Sequence, residues 1–346
     1  MTEKFELGRL VATPGAIEAT TLPQHFNLVA RHARASRRAS LRYARLEARG
    51  SPTPNQGFAA LFSHQPQNFS YVYEVGLLQR LAGAPMAETQ IEWTDATWNP
   101  VAGCSIVSVG CTNCYAMELA KRLEAMQVEK YKGLTRRSGE RTIWNGVVRE
   151  DPAALDIPLR WKKPKKIFVN SMSDLFHERV SDAFILDVWK VMRVTPHHHY
   201  QILTKRAERM GEFVGSQIAD VLPNVWLGTS IENAEVAERA NQLRAVPAAI
   251  RFISFEPLIG SVGAIDLRDI HWAIVGGESG KAARPIQEEW IDEIYDQCSQ
   301  YETTFFFKQW GTWGKDNRRR SKKANGRIYR GRVWNDMPKA AMMREA

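Results

Sequence analysis

The sequence predicts an α/β protein built as a TIM-like partial (β/α) barrel, and three observations predict it. Seven short apolar, β-branched or aromatic runs recur after Met86, most are followed by a helical stretch, and each ends in a polar cluster. In order, the runs are 89–95 (TQIEWTD), 166–174 (KIFVNSMSD), 199–206 (HYQILTKR), 224–233 (NVWLGTSIEN), 250–258 (IRFISFEPL), 271–280 (HWAIVGGESG) and 303–311 (TTFFFKQWG). Helices are predicted over 113–127, 181–193, 205–215, 232–245 and 287–299. Ser181-Asp182 and Asn233 suit N-terminal capping, and Pro285 suits a position just ahead of a first turn. A doubly wound open sheet is the alternative, and both architectures place function at the C-terminal ends of the strands.

The chain divides at Met86. Residues 1–85 contain no Asp, Cys or Trp, and nine of their ten basic residues are Arg, clustered over 31–50. Turn-rich stretches at 51–57 and 63–70 speak against a compact core there. The expectation is a poorly ordered basic extension with one basic helix near 27–49; the competing expectation is that translation starts at Met86. Net charge is +5 over residues 1–85, −4 over the barrel at 86–314 and +8 over the tail at 315–346. The basic excess therefore belongs to the two ends, where solvated charge is the commoner meaning and nucleic-acid contact the sharper one.

No run of 18 apolar residues and no secretory leader pattern is present, so a cytoplasmic protein without membrane insertion is expected. Three of the four cysteines crowd into eleven residues, Cys104, Cys111 and Cys114, a C-x6-C-x2-C pattern after the first strand. In a chain without an export signal this points to metal or redox chemistry rather than to disulfides. Gly103 and Gly110 let the loop bend back, and the last two thiols precede a helix. Three thiolates serve three irons of a 4Fe-4S cluster and leave the fourth open. Zinc is the alternative, with His177 or one of His197–His199 as fourth ligand, although the three-histidine run is expected in a solvated loop at the opposite end. Cys298 is expected to be a core thiol.

The strand ends supply the other candidates. Lys205 and Arg206 suit a carboxylate or phosphate. Glu232 and Glu256 are acid or base candidates, and Trp93, Trp98, Trp310 and Trp313 are expected to flank the mouth, mostly as filling.

The ordered motifs IEWTDATWNPVAGC, GCTNCYA, SMSDLF, LTKR, TSIEN, FEPL, VGGESG, FKQWG and GR-x3-GR-x-WNDMP, spanning Glu92 to Pro338, resemble a phage-associated bacterial family of uncharacterised three-cysteine proteins, often encoded beside a "three-Cys-motif partner" protein. That family is similar to radical S-adenosylmethionine enzymes. The resemblance implies a cluster on Cys104, Cys111 and Cys114 and reductive cleavage of S-adenosylmethionine to a 5′-deoxyadenosyl radical. It implies Ser171, Ser173 and Asp174 as cofactor contacts where a Gly-Gly-Glu normally follows the second strand, with Gly276 and Gly277 as further contacts and Glu278 facing substrate. The commoner cysteine spacing in those enzymes is C-x3-C-x2-C. The competing expectation is a phage accessory protein whose zinc or inert cluster site supports binding to nucleic acid or to the partner protein. The closing GR-x3-GR-x-WNDMP is expected to dock on the barrel.

Overall fold

The computed structural model describes Thr89 and residues 91–338. The basic extension and its expected helix lie outside the described residues. The core is a seven-stranded parallel sheet of β1 (Ala96–Trp98), β6 (Lys166–Val169), β7 (His199–Thr204), β8 (Val225–Ser230), β9 (Ile250–Phe255), β10 (Trp272–Gly276) and β11 (Thr304–Gln309), paired in that order. Each strand pairs with the next in sequence and the order never reverses. A doubly wound sheet needs a reversal, so that alternative is ruled out. The ends of the series, β1 and β11, do not pair with each other, which leaves a half-barrel consistent with a partial TIM-like fold.

The alternation of strand side chains sorts the core into two faces. Phe168, Trp226, Phe252, Trp272, Ile274 and Phe306 pack together with Trp93 inside the curve. Their neighbours Ile167, Val169, Ile202, Leu227, Ile253, Val275 and Phe307 join residues of the covering helices outside it. Gly228 belongs to the inner face, where an added Cβ would lie 2.6 Å from the Phe252 ring.

Helices α1 (Tyr115–Ala125), α2 (Asp182–Val194), α3 (Ala207–Gln217), α4 (Arg239–Arg244) and α5 (Glu288–Gln300) connect the strands. Ser181 caps α2 by accepting from the Phe184 amide at 3.2 Å. Two expectations need correction. Asn233 precedes only a 3-10 turn (Ala234–Val236) and makes no side-chain cap; its amide donates to Glu235 instead, and the helix forms later, as α4. The first strand begins at Ala96 rather than within 89–95, because Ile91–Thr94 turn and Trp93 tucks beneath the inner face. Asp95 consequently lies at the wrong end for the mouth: its carboxylate accepts from the amide of Lys166, the first residue of β6.

Between α1 and β6 the chain adds a hairpin of β3 (Thr135–Ser138) and β4 (Arg141–Trp144), and a short pair of β2 (Val101–Ala102) with β5 (Arg149–Glu150). These lack the apolar length that marks a strand in sequence.

The C-terminal segment, carrying α6 (Lys322–Asn325), β12 (Ile328–Tyr329) and β13 (Arg332–Val333), packs along the free side of β11. Asn335 bridges Phe306, the Phe307 amide donates to the Trp334 carbonyl, and Trp272 Nε1 donates to Asp336 O. Tyr329 is the segment's anchor, 1% exposed, with its hydroxyl donating to Asp292 Oδ1 on α5. Because Arg330 also bonds Asp292, the carboxylate keeps a partner without that hydroxyl. Tyr329→Phe is therefore expected to destabilise by about 1 kcal/mol and Tyr329→Ala by about 3–5 kcal/mol. Thermal melts of the two variants check the contrast, and equal losses would contradict it.

No helix among the described residues is long and apolar enough to cross a membrane.

Candidate metal centre

Cys104, Cys111 and Cys114 line one cavity of about 480 Å³ at the C-terminal ends of the strands. All three thiols are free of disulfides. Cys111 closes a 3-10 turn (Val109–Cys111), and Cys114 immediately precedes α1. The loop needs its glycines: Gly103 has φ +91°, and a Cβ there would meet the Val147 carbonyl at 2.2 Å.

Three polar clusters from three strand ends hold this loop. From the β7 end, Arg206 donates to Ser105 Oγ at 2.8 Å and to Asp174 Oδ2 at 2.9 Å, and its guanidinium lies 4.0 Å from Cys104 Sγ. His177 Nδ1 accepts from the Arg179 amide, so Nε2 carries the proton and donates to Ser105 Oγ at 2.9 Å. Burial, and next the Arg206 charge, depress the His177 pKa and favour that neutral ring.

From the β8 end comes Glu232, fully buried, accepting from Ser108 Oγ at 2.7 Å, from Lys205 Nζ, and from Arg239 Nη1 at 3.0 Å. A Cβ on Gly110 would lie 2.2 Å from the same carboxylate, so the residue before Cys111 rests directly on it. Burial disfavours the charge on Glu232, but Lys205, Ser108 and Arg239 outweigh it and hold the pKa below the glutamate range.

The third cluster, at the β10 end, is Glu278 with a bidentate Arg284 at 2.7 and 2.9 Å. Glu278 also accepts from Asn113 Nδ2, while Arg284 donates to the Val109 carbonyl at 3.0 Å. Burial again opposes the Glu278 charge and its donors prevail, keeping its pKa low. Each of the three clusters thus hydrogen-bonds the chain within three residues of a cysteine.

The remaining predicted residues fall around the same cavity. Asp174 lines it with both oxygens engaged, by Thr204 Oγ1, the amides of Lys205 and Phe176, and Arg206. Ser171 Oγ donates to Asn99 and Ser173 Oγ to the Val101 carbonyl, tying the β6 end to the β1 end. Glu256 reaches the cavity with Ser254 and Lys308, the latter at 2.7 Å. Gly277 lines the cavity, whereas Gly276 packs under Glu256. Sequence reasoning missed the partners Ser105, Ser108, Asn113, Arg239 and Arg284. The serines and Asn113 carried a signal, being polar residues between or beside the cysteines; the arginines carried none without the topology.

The tryptophans are chiefly filling. Trp98 is buried in the outer layer with Nε1 on the Ala154 carbonyl, Trp310 packs on Phe307, and Trp313 donates to the Ala283 carbonyl. The three-histidine run needs a partial correction: His198 is fully buried rather than solvated, with Nε2 on the Pro158 carbonyl, and burial followed by the His197 charge lowers its pKa to about 4. Cys298 is a core thiol that burial pushes up to about 12.

The donor set on the cavity wall is three free thiols. A single tetrahedral zinc needs its ligands converging around one point, with Zn–S near 2.3 Å. No three His, Cys, Asp or Glu side chains among the described residues are so gathered. A cluster gives each thiolate its own iron, so three thiols spaced around a cavity fit it. Their surroundings also fit. Burial pushes the Cys104 pKa up to about 12, with Asp174 adding to the rise and Arg206 opposing it. Burial raises Cys114 too, against donation from the amides of Ala116 and Met117 at the start of α1. Thiols of this kind, half-buried against the cavity, are held protonated until a metal replaces the proton.

Two solved structures resemble the chain, spore photoproduct lyase complexed with dinucleoside spore photoproduct, and a cysteine-to-alanine mutant of that lyase with the same ligand. They are 9% and 10% identical to it, each with a TM-score of 0.36 and each covering 63% of this chain. The chain spans about 64% of the length of those lyase chains. Among curated proteins none matches it. The family model described as "Protein of unknown function (DUF5131)" matches residues 88–338, and the chain belongs to that family.

Proposed function

We propose that this protein is an iron-sulfur enzyme of radical S-adenosylmethionine type, with a 4Fe-4S cluster on Cys104, Cys111 and Cys114. The observation that carries the reading is the meeting of three unpaired thiols around one cavity at the strand ends of a parallel half-barrel, each beside a dedicated polar clamp. When bound, the cluster supplies the electron for reductive cleavage of S-adenosylmethionine.

The protein's own groups would then divide the work. Arg206 offsets the negative charge of a metal-bound Cys104, and the first amides of α1 do the same for Cys114. Asp174 keeps Arg206 in place, and Glu232 and Glu278 hold the loop. Lys308 and Glu256, charged and facing the cavity, are the groups available to a bound cofactor or substrate. Trp93 and Phe168 give the cavity an apolar floor that keeps water away from a reactive intermediate.

Iron and acid-labile sulfide, measured on the full chain reconstituted without oxygen, test the reading beside a Cys104/Cys111/Cys114 triple alanine variant. About four irons and four sulfides per chain are expected, lost in the variant. Stoichiometric zinc without sulfide would overturn it.

A further inference from the structure

Just past the ends of β8, β9 and β10 stand three glutamates, and one of them holds no part of the cysteine loop. Glu232 holds Ser108 and Glu278 holds Asn113. Among the described residues Glu256 meets only Ser254 Oγ, at 3.1 Å, and Lys308 Nζ, at 2.7 Å. Glu256 and Lys308 both line the cavity, with 15% and 17% of their side chains exposed. They come from β9 and β11, which flank β10 and do not pair with each other. Two local features let them meet. Val275 pairs with Phe307 and Gly276 with Gln309, so Lys308 is the extra residue of a bulge, a device that re-aims a side chain. Gly276, on the strand between, has no side chain to stand in the way: a Cβ there would lie 2.9 Å from Glu256 Oε2.

Each member of the pair cancels the other's charge. A ligand group bringing a net charge of its own would meet no surplus counter-charge there and would lose its hydration without return. The pair does set an acceptor-only carboxylate beside a donor-only ammonium, which has further protons that Glu256 does not engage. Ser230, in register with Ser254, lines the same cavity, and its hydroxyl meets no partner among the described residues. The matching ligand edge is uncharged and presents an N–H beside a C=O, which is an amide. Below the pair the surface is aromatic. Phe252 and Phe306, two positions before Ser254 and Lys308 on the same strands, pack with Trp93 and Phe168. The last two line the cavity, their ring centroids 4.8 Å apart. Such a surface favours a flat ring over a flexible chain or a polyol.

We infer that the cavity binds a substrate carrying a ring-borne, uncharged amide, its N–H on Glu256, its C=O on Lys308 and its ring on Trp93 and Phe168. Taking that molecule for the substrate rests on the function proposed above, whereas the subsite itself uses none of the cysteines.

Benzamide, benzoate and benzamidine share one shape and differ in charge, and saturation-transfer NMR titrations of the three with the full chain at neutral pH test the inference. The unaltered chain is expected to bind benzamide at least tenfold more tightly than either ion. Glu256→Gln leaves Lys308 unbalanced and should move benzoate to the top of the order. Lys308→Gln leaves Glu256 unbalanced and should do the same for benzamidine. Glu92→Gln, which unbalances Lys322 elsewhere on the cavity wall, should keep benzamide first. No binding of benzamide, a preference of the unaltered chain for either ion, or an unchanged order in the Glu256→Gln and Lys308→Gln variants would each overturn the inference. The order on the unaltered chain already decides, so loss of a variant to misfolding leaves the test intact. The triple cysteine variant should give the unaltered order. Iron and sulfide content then judges the cluster, and the order of ligands judges the subsite, each without the other.

Discussion

Glu232→Ala is expected to cost about 3–5 kcal/mol of stability and to prevent assembly of the proposed cluster in the protein that remains folded. The carboxylate is fully buried and is the common partner of Lys205, Arg239 and Ser108. Removing it strands two cations with only 19% and 11% of their side-chain surfaces exposed. Breaking a buried pair by removing one member is the costly case, because desolvation of the other is no longer offset. Urea unfolding measures the loss, and a change below 1 kcal/mol would sink the argument.

The same residue predicts a pH dependence. Its folded pKa is depressed, so its contribution is present above the ordinary glutamate range and is lost as pH falls through and below it. The stability difference between the unaltered protein and Glu232→Ala should therefore be full at neutral pH and narrow on acidification. Glu232→Gln should retain the packing but not the charge, and should lie between the two.

Gly277→Ala is expected to be comparably severe for a different reason. An added Cβ would stand 2.0 Å from the Trp310 carbonyl oxygen and 2.8 Å from its carbon, with Ile286 behind it at 3.1 Å. Backbone atoms cannot rotate aside, and the Gly277 amide is already bonded to the Gln309 carbonyl, so the ends of β10 and β11 must separate. A loss of about 3 kcal/mol or more follows. Gly276→Ala provides the control. Its nearest neighbour, at 2.9 Å, is the tip of the Glu256 side chain, which can move, and the loss should be clearly smaller. If the two alanine variants melt together, close approach of the two strand ends is not what Gly277 provides.

Much of this architecture was legible before any coordinates. Six of the seven strands lie inside their predicted runs because buried parallel strands read as continuous apolar stretches ended by polar residues. The first run misled because Ile91 and Trp93 alternate as a strand would, yet serve as a plug beneath it. The gathering of Cys104, Cys111 and Cys114 at one cavity was legible from their closeness in sequence. The meaning of Glu232 and Glu278 was not: a carboxylate at a strand end reads as an acid or base until its partners are known. Those partners are set by topology. Arg206 and Ser105, or Asn113 and Glu278, meet only because the sheet curves.

That long-range anchoring also bears on how the protein is made. Arg284, the last of the groups that grip the cysteine loop, lies 175 residues downstream of its partner Val109. At ribosomal speeds of about 5–20 residues per second, roughly 9–35 s pass between the emergence of the two. Through that interval the nascent chain carries three cysteines whose final shelter has not yet been synthesised, open to oxidants and stray metal ions. Slower translation would lengthen that exposure, so the yield of intact thiols should depend on elongation rate as well as on oxygen.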